Sequence, residues 1–213
     1  NVTEHGNWEE KNILRILSSS EEAAARFNIP PFKSGEILNI CRKKLLEVRY
    51  KRIRPATDDK ILLSWNAMLI KSFCKAFAAL QDEKYKNAAV DLFDFMEKAF
   101  PGVNGSYFHT YKNCVAKFPA FLDDYTYLAY ACIHLQEITG EEKYLRKAKS
   151  ITEFIFENFG DKESGFFFFT EQNRDDVVIR KIELYDGATP SANAIMVQNL
   201  LCLSIVFDKT EWY

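Results

Sequence analysis

The sequence lacks a strong net charge and a long apolar run. Lys and Arg number 28 against 30 Asp and Glu, so the formal net charge is −2. Such a balance gives no electrostatic footprint for nucleic acid or for an anionic membrane, and we expect neither partner. The uninterrupted apolar stretches fall well short of the ~18 residues that a membrane-spanning helix requires. No transmembrane span is therefore expected.

Cysteine is scarce and irregularly placed. The five cysteines are an odd number and no two are close in sequence, so neither a disulfide framework nor a zinc site is predicted, and we expect no cofactor. Four of the five lie in apolar helical patterns, where cysteine serves as a small core residue. Unpaired cysteines favour a reducing compartment and hence a cytoplasmic location. A Gly-rich phosphate loop and a nucleophilic Ser elbow are also missing.

Apolar and aromatic residues, by contrast, are abundant. Hydrophobic residues make up 47% of the 213 residues, with 18 Phe and 10 Tyr among them. This is enough for a bulky core in one large domain or two small ones. The chain begins at Asn1 without an initiator Met and ends at Tyr213 in what looks like the start of a helix. We therefore expect it to be a piece of a longer protein.

The segment from 52 to 80 has the most distinctive pattern in the chain. Pro55 cannot continue a helix, so the chain turns there. Asp58 and Asp59 follow, and from Ile61 to Leu80 the spacing is helical and apolar on most faces. A helix that is apolar nearly all round is buried on nearly all sides. The two aspartates are therefore expected at the start of a core helix, either as N-caps alone or also as substrate contacts.

An internal repeat organises the rest of the chain. The stretch Asp82-Glu-Lys-Tyr85 recurs as Glu141-Glu-Lys-Tyr144, 59 residues later, and the same offset pairs Phe100 with Phe159 and Tyr107 with Phe166. Each unit reads as a buried helix, a tight turn, an amphipathic helix and a strand-like piece that follows a glycine. A third unit begins near Tyr185, and its buried helix is predicted over 191–207.

The repeat predicts two concentric layers of helices. One helix of each unit is apolar all round and the other is apolar on one side only, so inner helices are surrounded and outer helices are half exposed. A ring of helical hairpins, an (α/α) toroid, meets this demand better than an open helical solenoid does. We predict an all-α, incomplete ring of about three hairpins, with short β excursions over 107–111 and 165–170.

If the inner helices are parallel, their N-termini meet at one end of the ring. Carboxylates, amides and aromatic rings would converge there, as a carbohydrate site requires. The predicted substrate contacts are Asp58, Trp65, Asn66, Asp123, Tyr125, Asp186, Ser191 and Asn193. Glycosidic cleavage uses two carboxyl groups about 5–10 Å apart, and neighbouring helices lie about 8–10 Å apart. Asp59 and Asp124 are therefore the predicted acid–base pair.

Simpler structural roles exist for several residues. Trp65 fits a core ring as well as a sugar platform, and Asp186 begins an Asp-Gly pair that is common in turns. Among the three histidines, His109 lies in an extended segment, and His134 follows Asp124 by ten residues, about 15 Å along the helix. No histidine is thus predicted near the site, which favours carboxylate chemistry.

A set of ordered motifs resembles a known family over nearly the whole chain. The motifs are Gly6-Asn-Trp-Glu9 with Asn12-Ile-Leu14, Arg42–Lys60, Ser64-Trp-Asn66, Leu122-Asp-Asp-Tyr125, Gly165-Phe-Phe-Phe168, and Asp186-Gly-Ala-Thr-Pro-Ser191 with Asn193. Together they resemble the thioredoxin-domain-containing family of the spermatogenesis-associated protein 20 type. This sequence departs from the family pattern at Ala67 and Ala192, where the family usually has glycine, and a methyl group there could block a close approach.

The resemblance implies a domain organisation and a setting for the site. Residues 1–30 would connect from a missing N-terminal thioredoxin-like domain, and residues 31–213 would form roughly the first half of a six-hairpin-glycosidase-like toroid. Sugar epimerases related to this fold use histidines on inner helices, which this chain is predicted to lack near the site. The expected function is saccharide binding or carboxylate-based sugar chemistry. The alternative is a non-catalytic scaffold for the redox domain, and the fragment alone is expected to self-associate through exposed inner-helix flanks.

Overall fold

The structure, a computed structural model, describes residues 2–212 and divides into two compact units, Asn1–Asp58 and Asp59–Tyr213. The first unit holds helices α1 (Ser20–Arg26) and α2 (Pro31–Tyr50). A capping box begins α1, because the Ser19 hydroxyl accepts from the Glu22 backbone N–H and the Glu22 carboxylate accepts from that of Ser19. Helices α1 and α2 pack against each other, and the predicted domain boundary after residue 30 stays a prediction.

The second unit is a series of helical hairpins with one small sheet. Its elements are β1 (Ile61–Leu62), α3 (Leu63–Leu80), α4 (Glu83–Ala99), β2 (Phe108–Lys112), β3 (Val115–Pro119), α5 (Leu122–Thr139), α6 (Glu142–Phe159), α7 (Ala192–Phe207) and a 3₁₀ turn (Thr210–Trp212). Within residues 2–212, none of the helices combines the length and the apolar character needed to cross a bilayer.

Helix α5 lies at the centre of the core and is buried on nearly all sides. Helices α3 and α7 pack on it as inner helices, while α4 and α6 pack outside them and bury one face each. Helices α3 and α5 run in the same direction, since Ser64 contacts Asp124 near their starts and Lys75 pairs with Glu137 near their ends. The predicted two layers of helices are confirmed, but of the inner helices only α5 is surrounded, because α3 and α7 each keep an exposed apolar flank.

The repeat is visible in matching core positions. Inner helices α3 and α5 end at residues with left-handed backbone, Gln81 and Gly140, which turn the chain into the outer helices. Phe100 and Phe159, at the ends of those outer helices, are both fully buried. In the structure the repeat equivalent of Tyr107 is Phe167 and not the predicted Phe166. Tyr107 forms an isolated bridge with Pro101, and Phe167 forms the matching bridge with Gly160. Phe166 is 42% exposed instead.

The sheet differs from the predicted excursions. Its three strands are antiparallel in the order β1-β2-β3, with Leu62 opposite Thr110 and Lys117 opposite Thr110 on the other side. Residues 61 and 62, predicted as helix, form β1 because they pair with β2 before α3 begins. Residues 166–170 form no strand beyond the single bridge of Phe167 to Gly160.

Candidate functional site

The N-termini of the three inner helices gather at one end of the second unit. The Asp124 carboxylate at the start of α5 accepts from the Ser64 backbone N–H at the start of α3, at 2.9 Å. The Tyr127 hydroxyl, one turn further along α5, donates to the Pro190 carbonyl just before α7. The predicted convergence of helix starts is therefore present.

Asp124 is fully buried and hydrogen-bonded on both carboxylate oxygens. Its Oδ1 accepts from Ser64, and its Oδ2 accepts from the Phe121 backbone N–H at 2.9 Å and lies 2.7 Å from His109 Nδ1. Asp124 thereby caps its own helix, caps the neighbouring helix α3 and orients an imidazole. A carboxylate without exposed surface cannot reach a substrate directly, so the predicted direct catalytic role of Asp124 does not fit this geometry.

His109 contradicts the expectation that no histidine lies near the site. Strand β2 carries it against the start of α5, where its ring meets Phe121 edge-on with centroids 5.0 Å apart. The hydrogen bond to Asp124 raises the pKa of His109, while partial burial acts in the opposite direction. With Nδ1 committed to Asp124, Nε2 is the nitrogen left for exchange with a ligand. No sequence motif indicated this pair, because the two residues are 15 positions apart on different elements.

Asp123 is the accessible acidic group of this cluster. It is half-buried, and its Oδ1 accepts from the Asp124 backbone N–H at 3.0 Å. Burial and the neighbouring carboxylate of Asp124 raise the pKa of Asp123 to about 6, and the positive charge of His109 lowers it by less. Asp123 can therefore exist in both protonation states near neutral pH, as a general acid or base must.

A cavity of about 140 Å³ opens beside Asp123. It lies between the start of α5 and the loop that leads into α7, and Glu183, Thr189 and Ser191 supply polar groups to its wall. Ala192, one of the two positions where the resembled family has glycine, also lines it, whereas Ala67 is buried in the core. The arrangement combines a small polar cavity with a carboxyl of raised pKa and an imidazole held by a carboxylate.

The predicted site residues before and at the start of α3 are not among the described residues that line this cavity. Asp58 ends the first unit and is exposed, while Asp59 is exposed and pairs with Lys112, which lowers the pKa of Asp59. Neither caps α3, because β1 intervenes and Asp124 takes the capping role; the capping prediction was wrong. Trp65 is 62% exposed rather than a core ring. The Asn66 amide donates to the Leu62 carbonyl in its own helix turn.

The remaining predicted contacts hold the backbone together. Tyr125 is 1% exposed, and its hydroxyl accepts from the Tyr107 backbone N–H, so it is a core residue instead of a sugar contact. Asp186 accepts from the Ser191 backbone N–H at 2.8 Å in the turn before α7. Asn193 is buried and exchanges two hydrogen bonds with the backbone of Phe167. Of this group, Ser191 lines the cavity, and Asp186 lies between two lining residues, Tyr185 and Gly187.

A metal ion has no candidate ligand set in the part of the chain that the structure describes. Over residues 2–212, no group of three or more His, Cys, Asp or Glu side chains is placed to hold one. All five cysteines lie within that range and are free.

Sequence relatives confirm the resemblance to the spermatogenesis-associated protein 20 type. No protein-family model matches the chain. The Caenorhabditis elegans protein B0495.5 is 29% identical over 219 residues, which cover 98% of this chain and 29% of that protein. Human spermatogenesis-associated protein 20 is 27% identical over 221 residues, covering 97% of this chain and 28% of that protein. The chain thus spans less than a third of the length of these relatives.

Solved structures confirm the incomplete (α/α) toroid. The α-1,6-mannanase of Salegentibacter sp. HEL1_6 is 16% identical, with a TM-score of 0.56 over 91% of this chain and 54% of that one. Cellobiose 2-epimerase from Bacillus thermoamylovorans is 11% identical, with a TM-score of 0.60 over 75% and 43%. An inactive variant of the same mannanase, with two consecutive aspartates replaced by asparagine, is similar at a TM-score of 0.57, 17% identity and 71% and 44% coverage, and holds α-1,6-mannotriose.

Proposed function

We propose that residues 59–213 form a saccharide-binding domain that performs acid–base chemistry on a sugar. One observation carries the proposal: an accessible carboxyl of raised pKa, Asp123, stands beside an imidazole that a buried carboxylate, Asp124, holds in place. Perturbed titratable groups beside a cavity are the physical signature of a reaction site. A role in carbohydrate metabolism and a cytoplasmic location belong to the same proposal.

The residues divide the work of proton transfer. Asp123 donates or accepts a proton at a sugar oxygen, since its pKa of about 6 keeps both forms populated. His109 exchanges a second proton through Nε2, while Asp124 fixes its tautomer and stabilises its protonated form. Asp124 has no exposed surface for attack on an anomeric carbon. The geometry therefore favours acid–base catalysis over a covalent glycosyl intermediate on Asp124.

The fold neighbours support a sugar as the ligand. Their names include an α-1,6-mannanase, a cellobiose 2-epimerase and a D-mannose isomerase. The mannanase variant that holds mannotriose was made inactive at two consecutive aspartates. This chain also has consecutive aspartates, of which Asp123 lines the cavity and Asp124 is buried. The sequence analysis disfavoured epimerase-type chemistry because no histidine was predicted near the site. His109 contacts Asp124, so that reason no longer applies.

The test combines ligand binding with product analysis. The chain is titrated with α-1,6-mannotriose, mannose and cellobiose by calorimetry, and each mixture is followed by NMR for new anomeric or C2-epimer signals. We expect binding of at least one sugar. Asp123→Asn and His109→Gln should leave binding within about threefold while turnover falls roughly 100-fold or more, since each removes one proton-transfer group. Asp91→Asn, on the exposed side of α4, is the matched control.

Failure to bind any of these sugars would contradict the proposal and favour a second function. Asp124 links α3, α5 and β2 through its hydrogen bonds, so it is equally suited to a purely structural role. We infer as the second candidate a non-catalytic scaffold that presents a thioredoxin-like domain of the longer protein to its partners. In that case Asp124→Asn would lower stability, and Asp123→Asn and His109→Gln would have no functional effect.

A further inference from the structure

The two terminal inner helices of the second unit each leave one flank uncovered. We call the one on α3 the start flank and the one on α7 the end flank. Their side chains recur at spacings of three or four residues, so each set lies on one side of its helix. All of them are exposed or half-buried, so within residues 2–212 neither flank is covered. The start flank comprises Trp65, Leu69, Ser72 and Ala76, and the end flank comprises Ala194, Val197, Leu201 and Ile205.

The two flanks are complementary in size and free of charge. At equal distances from the two helix starts, a large side chain on one flank corresponds to a small one on the other. The pairs are Trp65 with Ala194, Ser72 with Leu201 and Ala76 with Ile205, at the third, tenth and fourteenth residue of each helix. Large and small side chains in alternation interdigitate well. Helix α7 contains no Asp, Glu, Lys or Arg over its 16 residues, so a contact in this register would bury no charge.

The inner helices run parallel, so a second copy of the chain can continue their series. Helices α5 and α7 run in the same direction, because Tyr127 contacts Pro190 just before α7 and Tyr130, further along α5, contacts Gln198 within α7. Helices α3 and α5 are parallel as well. A rotation about an axis along the helices leaves their direction unchanged. Helix α3 of a rotated copy therefore meets α7 in the parallel orientation that α5 has with both of its neighbours.

The curvature of the ring sets the number of copies. Three inner helices are half of a six-hairpin toroid, and the chain matches 54% of the α-1,6-mannanase chain of that fold. A half-turn rotation places α3 of the second copy next to α7 of the first, and α7 of the second copy next to α3 of the first. Contacts between two different surfaces form a ring when the rotation closes, and it closes here after two copies.

The area of these contacts also favours a closed pair. A helix of 16 residues is about 24 Å long and a helix face is about 10 Å wide, so one α7–α3 contact buries on the order of 500 Å². A specific interface needs about 1,000 Å² or more. Two copies that close a ring form two such contacts, while only one additional molecule loses its freedom of motion.

We propose that two copies of this chain pair through their flanks, with the end flank of each on the start flank of the other, and so complete a ring of six parallel inner helices. The proposal assigns both exposed flanks to one occupant, a second copy of the chain. It does not depend on the proposed function, because no flank residue lines the cavity beside Asp123.

Two charge variants test which flanks meet, with the mass in solution measured by light scattering after size exclusion. Leu69→Glu places a carboxylate on the start flank, and Leu201→Lys places an ammonium group on the end flank. We expect each variant alone to associate at least about tenfold more weakly than the wild type, since its contacts bury a charge against apolar surface. An equimolar mixture should form the dimer again, because one of its contacts is wild type and the other joins the two introduced charges.

Matched controls place the same charges elsewhere. Val103→Glu and Val178→Lys change exposed residues outside the helices, and both should leave the dimer intact. Tryptophan emission gives a second readout, since Trp65 is 62% exposed and becomes buried in the ring. The emission of the wild type should shift to shorter wavelength as its concentration rises. Trp65→Phe should lose that shift, and Trp8→Phe should keep it.

The alternatives give different results. Association that survives Leu69→Glu and is lost in Leu201→Lys would mean that two end flanks pair with each other, which overturns the proposal. A mixture of the two variants that stays monomeric, or a wild-type mass of three or more chains, would overturn it too. A wild-type chain that remains monomeric at high concentration would also refute it and assign the flanks to another segment of a longer protein. The absence of sugar binding would leave it unaffected.

Discussion

At the scale of single residues, Asp124 holds the site together by accepting hydrogen bonds from three donors. The backbone N–H groups of Ser64 and Phe121 and the ring of His109 all meet one carboxylate that has no exposed surface. A buried charge is tolerated when it is fully hydrogen-bonded, and removing its capacity to accept is costly. The position of His109 and the starts of two helices therefore depend on this one side chain.

Asp124→Asn provides a prediction at this scale. An asparagine amide turns an NH₂ group toward donors on one side, so we expect a loss of roughly 2–4 kcal/mol in unfolding free energy, measured by chemical denaturation. The pKa of His109 should fall, since its raised value comes first from this hydrogen bond. NMR titration can resolve His109, because the chain has only three histidines.

The raised pKa of His109 also predicts how the stability of the fold depends on pH. A histidine whose pKa is raised in the folded state contributes stability that is fully present below the unfolded pKa of about 6.5. That contribution is lost as pH rises through the folded pKa. Asp124→Asn should remove it, while His134, whose pKa is lowered by burial, serves as an internal reference. An unchanged titration of His109 would refute the pairing.

Two buried side-chain amides connect α7 to the rest of the core. The Asn193 side chain at the start of α7 accepts from the Phe167 backbone N–H and donates to the carbonyls of Phe167 and Glu183. It thereby joins the segment that follows α6 to the loop that lines the cavity. Asn199, further along α7, donates to the Thr126 carbonyl and so connects α7 to α5. These amides fix the third inner helix against the second.

Asn193→Ala is the prediction for this element. It leaves buried backbone groups of Phe167 without partners, so we expect the unfolding free energy to fall by roughly 2–3 kcal/mol. Chemical denaturation measures the loss, and hydrogen exchange should show faster opening near Phe167. Asn87→Ala, at an exposed position in the middle of α4, is the control and should be neutral or slightly stabilising. Equal stability of the two variants would contradict the bridging role.

The molecule as a whole has inner helices without neighbours on their outer flanks. Val197, Leu201 and Ile205 form an exposed stripe along α7, and Trp65 and Leu69 are exposed on α3. Helix α5, with neighbours on both sides, has no such stripe. An incomplete ring explains the difference, because each terminal inner helix lacks the next one around the circle. Exposed apolar stripes of this kind favour association.

Self-association is the prediction at this scale. We expect light scattering to report a mass above that of a monomer at micromolar concentration, since burial of apolar surface yields about 25 cal/mol per Å². Replacing Leu201 and Ile205 with lysine should restore the monomer. Val178→Lys, at a 97% exposed position outside the helices, should not. A wild-type chain that stays monomeric at high concentration would count against the incomplete ring as the cause.

The features that follow from periodicity were predictable from the sequence. Apolar spacing over 61–80 and the offset of Phe100 and Phe159 indicated two helical layers, because burial on all sides demands a helix that is apolar on all sides. The convergence of inner helix starts followed from that layering. Boundaries were less accurate, since the first two residues of the predicted helix, 61 and 62, paired with β2 instead.

The site itself was decided by the tertiary structure. By itself the sequence determined the class of fold and which end of it would be acidic, since these depend on patterns within single segments. It could not determine that Asp124 would be buried, that Asp59 would turn to Lys112, or that His109 would reach the start of α5. Those outcomes depend on the register of the small sheet against α5. A register is a relation between distant segments, and no local pattern encodes it.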